Sequence, residues 1–102
     1  MNDTKLTGRL GADPVLRHTA TGVQVTNLRL AVERPGHDDP DWFDVTVWGA
    51  TAEAVATHLG KGDQLIVDGH LRPDHIELDG KKYATVTIHA DRVEFAARAH
   101  TP

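Results

Sequence analysis

The chain has 102 residues, 39% hydrophobic and 25% charged, with no cysteine and a formal net charge of −4. That length suits one domain with its own core, and the composition excludes a disordered chain, a disulfide framework and any thiolate nucleophile or metal ligand. No run approaches the roughly 18 apolar residues of a membrane helix, and MNDTKLTGRL lacks the basic-then-apolar layout of a signal peptide, so a cytoplasmic protein is the simplest expectation.

Residues 4–11 form a first expected strand, ended by the GADP turn. PVLRHTATG then runs extended through 15–19 and turns at Thr21-Gly22. A long second strand, VQVTNLRLAVER, is rich in β-branched residues. Its apolar positions change from 23 and 25 to 28, 30 and 32, which predicts a bulge or strong bend near Asn27. PGHDDPD is a loop, because two prolines, a glycine and three acids cannot form an interior strand.

The third strand, DWFDVTVWG at 41–49, puts Phe43, Val45 and Val47 on one face and Trp42, Asp44, Thr46 and Trp48 on the other. Both tryptophans of the chain therefore stand on the polar face. ATAEAVATHL reads as a short helix: Ala52, Val55, Ala56 and Leu59 follow helical spacing, Glu53 lies in its first turn, His58 in its last, and Gly60 stops it. GKGD leads into a fourth strand, QLIVDGHLR, with a turn at RPDH. ELDGKKY is a hairpin about Asp79-Gly80, and YATVTIHADRVEF closes as a fifth strand with a second parity shift around Ala90.

Three strands, one helix and two strands make an all-β chain. The fold expected is a five-stranded Greek-key barrel with one short helix between strands 3 and 4, the OB-fold. No repeat or interior boundary interrupts it, so the domain is placed at 1–97, with 98–102 as a short disordered C-terminus.

The charge is unevenly spread. Residues 1–34 hold five basic groups against three acids, and residues 35–102 hold six against twelve, many of them in turns. Acidic loops are compatible with a basic groove elsewhere. Lys5, Arg9, Arg17, Arg29, Arg34, Lys61, Arg72, Lys81 and Lys82 are the candidates for phosphate contact, although a single surface cation is more often merely solvated. Arg29 stands out, since it alternates with Leu28 and Leu30 and faces the polar side of a central strand.

An indole offered to a nucleotide stacks with any base, contributing roughly 1–3 kcal/mol per base. Trp42 and Trp48 are six residues apart, about 20 Å along a strand, a span suited to several nucleotides. The plainer alternative is a tryptophan that caps the barrel or is buried at a subunit interface. The seven histidines raise a metal or acid–base reading, with His70, His75 and His89 near Asp68 and Asp91. No ligand spacing supports it, and solvated or pairing histidines are expected. Nucleophile motifs, phosphate loops and paired-carboxylate signatures are missing, so neither an enzyme nor a cofactor is expected.

Six ordered segments carry a resemblance over almost the full chain: GRLGADPVLR, TGVQVTNLRLAV, DWFDVTVWG followed by Ala52-Glu53, LGKGDQLIVDGHLR, DGKKY and IHADRVEF. Together they resemble bacterial single-stranded DNA-binding proteins. The resemblance implies a nucleoid-associated homotetramer, a dimer of dimers. It wraps single-stranded DNA without sequence preference and protects it during replication, recombination and repair. Trp42 and Trp48 fall on two of the family's stacking positions, and Lys61 and Arg72 on two basic ones.

Other positions depart from that pattern. Further stacking aromatics would fall near Pro35 or Gly36 and on Ile76, and positions often basic hold Asp44, Ala50 and Asp74. A weaker or smaller binding site, gripping more by stacking than by charge, is the expectation. Typical members continue into a flexible tail with an acidic-hydrophobic tip that recruits replication and repair enzymes. The sequence stops at AARAHTP, so the expectation is either a chain cut before that tail or a short paralogue, and a tailless member is expected to coat DNA without recruiting through the tip. The alternative reading is an OB-fold assembly protein of the primosomal kind, acting mainly through protein–protein contacts; the tryptophan pair favours DNA.

Overall fold

The computed structural model describes residues 1–97; the end expected to be disordered, 98–102, lies outside the described residues. In chain order the elements are β1 (Thr4–Leu10), β2 (Arg17–His18), β3 (Gln24–Val32), β4 (Asp41–Trp48), α1 (Gly49–His58), β5 (Gln64–Leu78) and β6 (Lys81–Phe95). The five long strands are the five expected, and the extended stretch after the GADP turn contributes only two-residue β2. The sheet runs β1-β5-β6-β4-β3-β2, and β1 returns to β3 through Arg9↔Ala31 and Leu10↔Leu30, which closes the ring. β4 and β6 pair in parallel and all other neighbours antiparallel. This is the OB barrel.

Alternation along the strands fills the ring. Leu28 and Leu30, Val45 and Val47, Leu65 and Val67, and Ile88 point inward and form one core with Ala52 and Val55 of α1 and Leu59 just after it. Each such aliphatic side chain contributes about 1.5–3 kcal/mol by leaving water.

Four local features sharpen the sequence reading. The pairing of β3 with β4 is unbroken from Val25↔Trp48 to Val32↔Asp41, so no bulge occurs near Asn27. The parity change has another origin: Val25 and Thr26 are both buried. At that end α1 packs on β3 and Trp48 stands directly opposite Val25, so both faces are covered. The second shift, by contrast, is a true bulge. Asp68 pairs with Arg92 and Gly69 with Ala90, leaving Asp91 as the extra residue. A side chain at Gly69 would collide with the backbone of His89.

RPDH is not a turn. β5 continues through it to Leu78, paired with β6 to the end. The turn comes at Asp79 and Gly80, with φ of 51° and 76°, the two left-handed residues of a tight hairpin. The side chain of Asn2 explains why a proline fits inside β5. Its amide accepts from the Leu71 N–H (2.9 Å) and donates to the Leu71 carbonyl (2.8 Å). The backbone groups of Leu71, and by alternation those of position 73, therefore face the edge away from β6. Pro73 forfeits no ladder bond there.

In α1, Glu53 lies beyond the first turn, which holds no acid, and accepts from Gln24 Nε2 at 3.0 Å. The helix ends in extended backbone at Leu59, without a left-handed glycine; Gly60 instead donates its N–H to Asp63 Oδ2 at 2.8 Å. Among the described residues, no helix is long and apolar enough to cross a membrane.

Candidate nucleic-acid interface

The polar face of β4 is built in register with its neighbours. Trp42, Asp44, Thr46 and Trp48 stand opposite Ala31, Arg29, Asn27 and Val25 of β3, and Thr46 stands beside His89 of β6. Neither tryptophan is in the core: Trp42 is 46% and Trp48 43% exposed. Each is nevertheless held. The Arg29 guanidinium lies 5.4 Å from the centre of the Trp42 ring, a cation–π contact. The ring's far edge rests on Gly11, where an added Cβ would come within 2.5 Å of Cζ3. At the other end, Trp48 Nε1 donates to His89 Nδ1 at 3.2 Å, with the two ring centres 6.3 Å apart and their planes inclined by 24°. His70 follows at 5.9 Å from His89, and its Nδ1 meets Asp91 Oδ2 at 3.0 Å.

Between the indoles, Arg29 Nη1 pairs with Asp44 Oδ1 at 3.0 Å. Thr46 is nearly buried although it lies on the polar face, and its hydroxyl donates to Asn27 Oδ1 at 3.0 Å. An open groove of about 480 Å³ runs over this surface, lined by Asn27, Asp44, Thr46, Trp48, Asp74, Thr87 and His89. It thus spans β3, β4, β6 and β5. Burial holds the His89 imidazole below the usual histidine range; Arg72 and His70 push the same way, against Asp74 and Asp91.

The groove face continues along the β5–β6 arm through the pairs Arg72↔Thr87, Asp74↔Thr85, Ile76↔Tyr83 and Leu78↔Lys81. Tyr83, 47% exposed, stands directly across from Ile76, so an aromatic occupies that stretch from the opposite strand. Sequence reasoning missed it, although the Asp79-Gly80 turn fixes the pairing by counting outward from its centre.

The expected cations separate into groups. Arg72 and Lys81 share the groove face, while Lys82 pairs with Glu77 on the reverse face of the arm. Arg9, Arg34 and Lys61 gather toward the Trp42 end. Arg9 is in line with Ala31 and Trp42 across three strands, and Arg34 pairs with Asp41 at 3.5 Å. The Lys61 N–H donates to Asp13 Oδ1 at 2.7 Å, and the Gly62 N–H to the Leu10 carbonyl at 2.8 Å. Those bonds tie the turn to the segment carrying Gly11. Lys5 is elsewhere, on the stretch of β1 that pairs with Asp68 of β5, beyond the two residues by which β1 meets β3. It is clamped between Asp3 (3.0 Å) and Asp68 (3.3 Å), which raise its pKa. Among the described residues Lys61, Arg72, Lys81 and Lys82 make no ion pair, and no cluster of His, Asp and Glu has a metal-holding arrangement.

Comparison with known proteins places this geometry. A family model described as "Single-strand binding protein family" matches residues 1–96. The single-stranded DNA-binding protein of Thermosynechococcus vestitus is 43% identical over 75 residues, covering 72% of this chain and 62% of that protein. Single-stranded DNA-binding protein 3 of Listeria innocua is 41% identical over 101 residues, covering 93% and 63%. The single-stranded DNA-binding protein of Oceanobacillus iheyensis is 37% identical over 101 residues, covering 93% and 63%. The chain thus spans a little under two thirds of the length of these relatives. With the closed barrel, its helix and the two tryptophans in place, the chain belongs to the single-strand binding protein family.

Proposed function

We propose that the chain binds single-stranded DNA without sequence preference along the groove face, and so coats and protects the strand during replication, recombination and repair. The observation that carries this reading is the pair of half-exposed indoles, held on one face by Arg29 at one end and His89 at the other. Bases stack on Trp42 and Trp48, with roughly 1–3 kcal/mol from each stacked base. Arg72 and Lys81 take phosphates at the arm, and Arg9, Arg34 and Lys61 do so at the Trp42 end. Arg29, neutralised by Asp44, supports the Trp42 ring more than it contacts phosphate. Lys5 and Lys82, directed elsewhere, contribute least.

The assembly proposed is a homotetramer, a dimer of dimers, and the location is cytoplasmic and nucleoid-associated. Self-association is supported by the apolar side chains Leu71 and Val86, 42% and 61% exposed on the arm's reverse face. Sedimentation of the purified protein is expected to show a species near four times the 11.1 kDa chain mass.

The function is tested by titration with oligo-dT while following tryptophan emission at two salt concentrations. Stacking quenches the emission, and affinity falls with salt by about 0.7 log units per log unit of salt for each phosphate contact. No quench at micromolar DNA in low salt would overturn the reading.

A further inference from the structure

The row of rings at the Trp48 end of the groove has a polarity of its own. An indole N–H can only donate, so the 3.2 Å bond from Trp48 Nε1 to His89 Nδ1 requires that nitrogen to be bare. The His89 imidazole must therefore be neutral, with its proton on Nε2. Adding a second proton places an N–H against an N–H and ends the bond. From this geometry we infer that His89 is the positioning residue of Trp48 and a proton-operated latch on its ring. With His89 neutral, Trp48 is held for stacking; with His89 protonated, the indole is released and its grip on a base weakens.

Every element around His89 bears on the latch. β5 presents His70, Arg72 and Asp74, the first directly opposite in register. β6 contributes Asp91, which holds His70 at 3.0 Å. β4 contributes Asp44 to the same groove, already paired with Arg29 of β3. Partial burial and the Arg72 and His70 charges favour the neutral form, which keeps the latch closed at neutral pH and opens it only on acidification. Trp42 has no such device, since its partner Arg29 stays charged throughout.

The consequence for DNA rests on the DNA-binding reading above; the latch itself can be read in the free protein. The experiment follows the two indole N–H resonances of the ¹⁵N-labelled full chain as pH falls from 7.5 to 5, with Trp42→Phe and Trp48→Phe for assignment. The Trp48 signal is expected to move with the midpoint of the His89 ring, and the Trp42 signal to stay. His89→Gln, whose carbonyl still accepts, keeps the Trp48 signal near its hydrogen-bonded position at all pH values. His89→Ala leaves it at the free position.

Oligo-dT affinity is then compared between variants at each pH, so that the other histidines cancel. At pH 7.5 His89→Ala is expected to bind about two- to tenfold more weakly than His89→Gln, the worth of one ordinary hydrogen bond. From pH 7.5 to pH 5 the wild type loses affinity relative to His89→Gln by a similar factor. A Trp48 signal indifferent to His89 protonation would overturn the latch. So would His89→Ala binding as tightly as His89→Gln at pH 7.5, or a wild type gaining on His89→Gln in acid. If oligo-dT does not bind at all, the DNA reading fails while the resonance titration still decides the latch.

Discussion

Inside the barrel Leu30, Val45, Val47, Leu65 and Val67 are fully buried, and the cations Lys5, Arg29 and Arg34 each face an aspartate. In the arm, residues 71–87, no side chain is buried, and Arg72, Lys81 and Lys82 have no ion pair among the described residues. One region is built for position and the other for reach and charge. The two indoles sit on the positioned part; Arg72 and Lys81 stand unpaired on the exposed groove face of the arm.

Substitutions can break or sharpen that contrast. Leu65→Ala is expected to lower stability by about 2–5 kcal/mol, as a cavity in a closed core does, whereas Lys82→Gln in the exposed arm stays within about 0.5 kcal/mol. Denaturant unfolding of both variants checks this, and equal losses would erase the distinction. Trp42→Ala and Trp48→Ala are each expected to reduce oligo-dT affinity by about 1–3 kcal/mol with little change in melting temperature. A collapse of the fold would make them structural instead.

Thr26 offers a test from the barrel side. Its hydroxyl is fully buried with no partner among the described residues. Thr26→Val should raise stability by about 1 kcal/mol, because the desolvated oxygen is removed and the shape kept. The smallest effects concern charge. Arg72→Ala and Lys81→Ala should each reduce the salt slope of DNA binding by about 0.7, while Lys5→Ala, already clamped between two acids, leaves it unchanged.

The barrel was legible in the sequence because its signals are local and periodic. Val45-Val47 and Leu65-Val67 alternate, Asp79-Gly80 marks the hairpin, and the parity shift near Ala90 marks the bulge. The shift near Asn27 misled because parity reports burial, and burial came from α1 and Trp48 rather than from an extra residue. RPDH read as a turn because proline and aspartate usually end strands; only the Asn2 amide on Leu71 reveals that position 73 faces a free edge.

At the site, alternation placed both tryptophans on the polar side, but what holds them was hidden. Arg29 reaches Trp42 across a neighbouring strand, and Gly11 and His89 come from distant parts of the chain. The division of cations into paired and unpaired was largely invisible too, since Asp68 meets Lys5 only once β1 and β5 are side by side.

The central claim is that DNA lies along the β3–β4–β6–β5 face. Its most direct test is the amide and indole spectrum of the ¹⁵N-labelled protein during titration with a short oligo-dT. The account predicts that both indole signals and the amides of Asn27, Asp44, Tyr83 and Thr87 shift together, while those of Lys5, Asp68 and Glu53 hold still. Shifts concentrated at Lys5, Asp68 or α1, with both indoles unmoved, would contradict it.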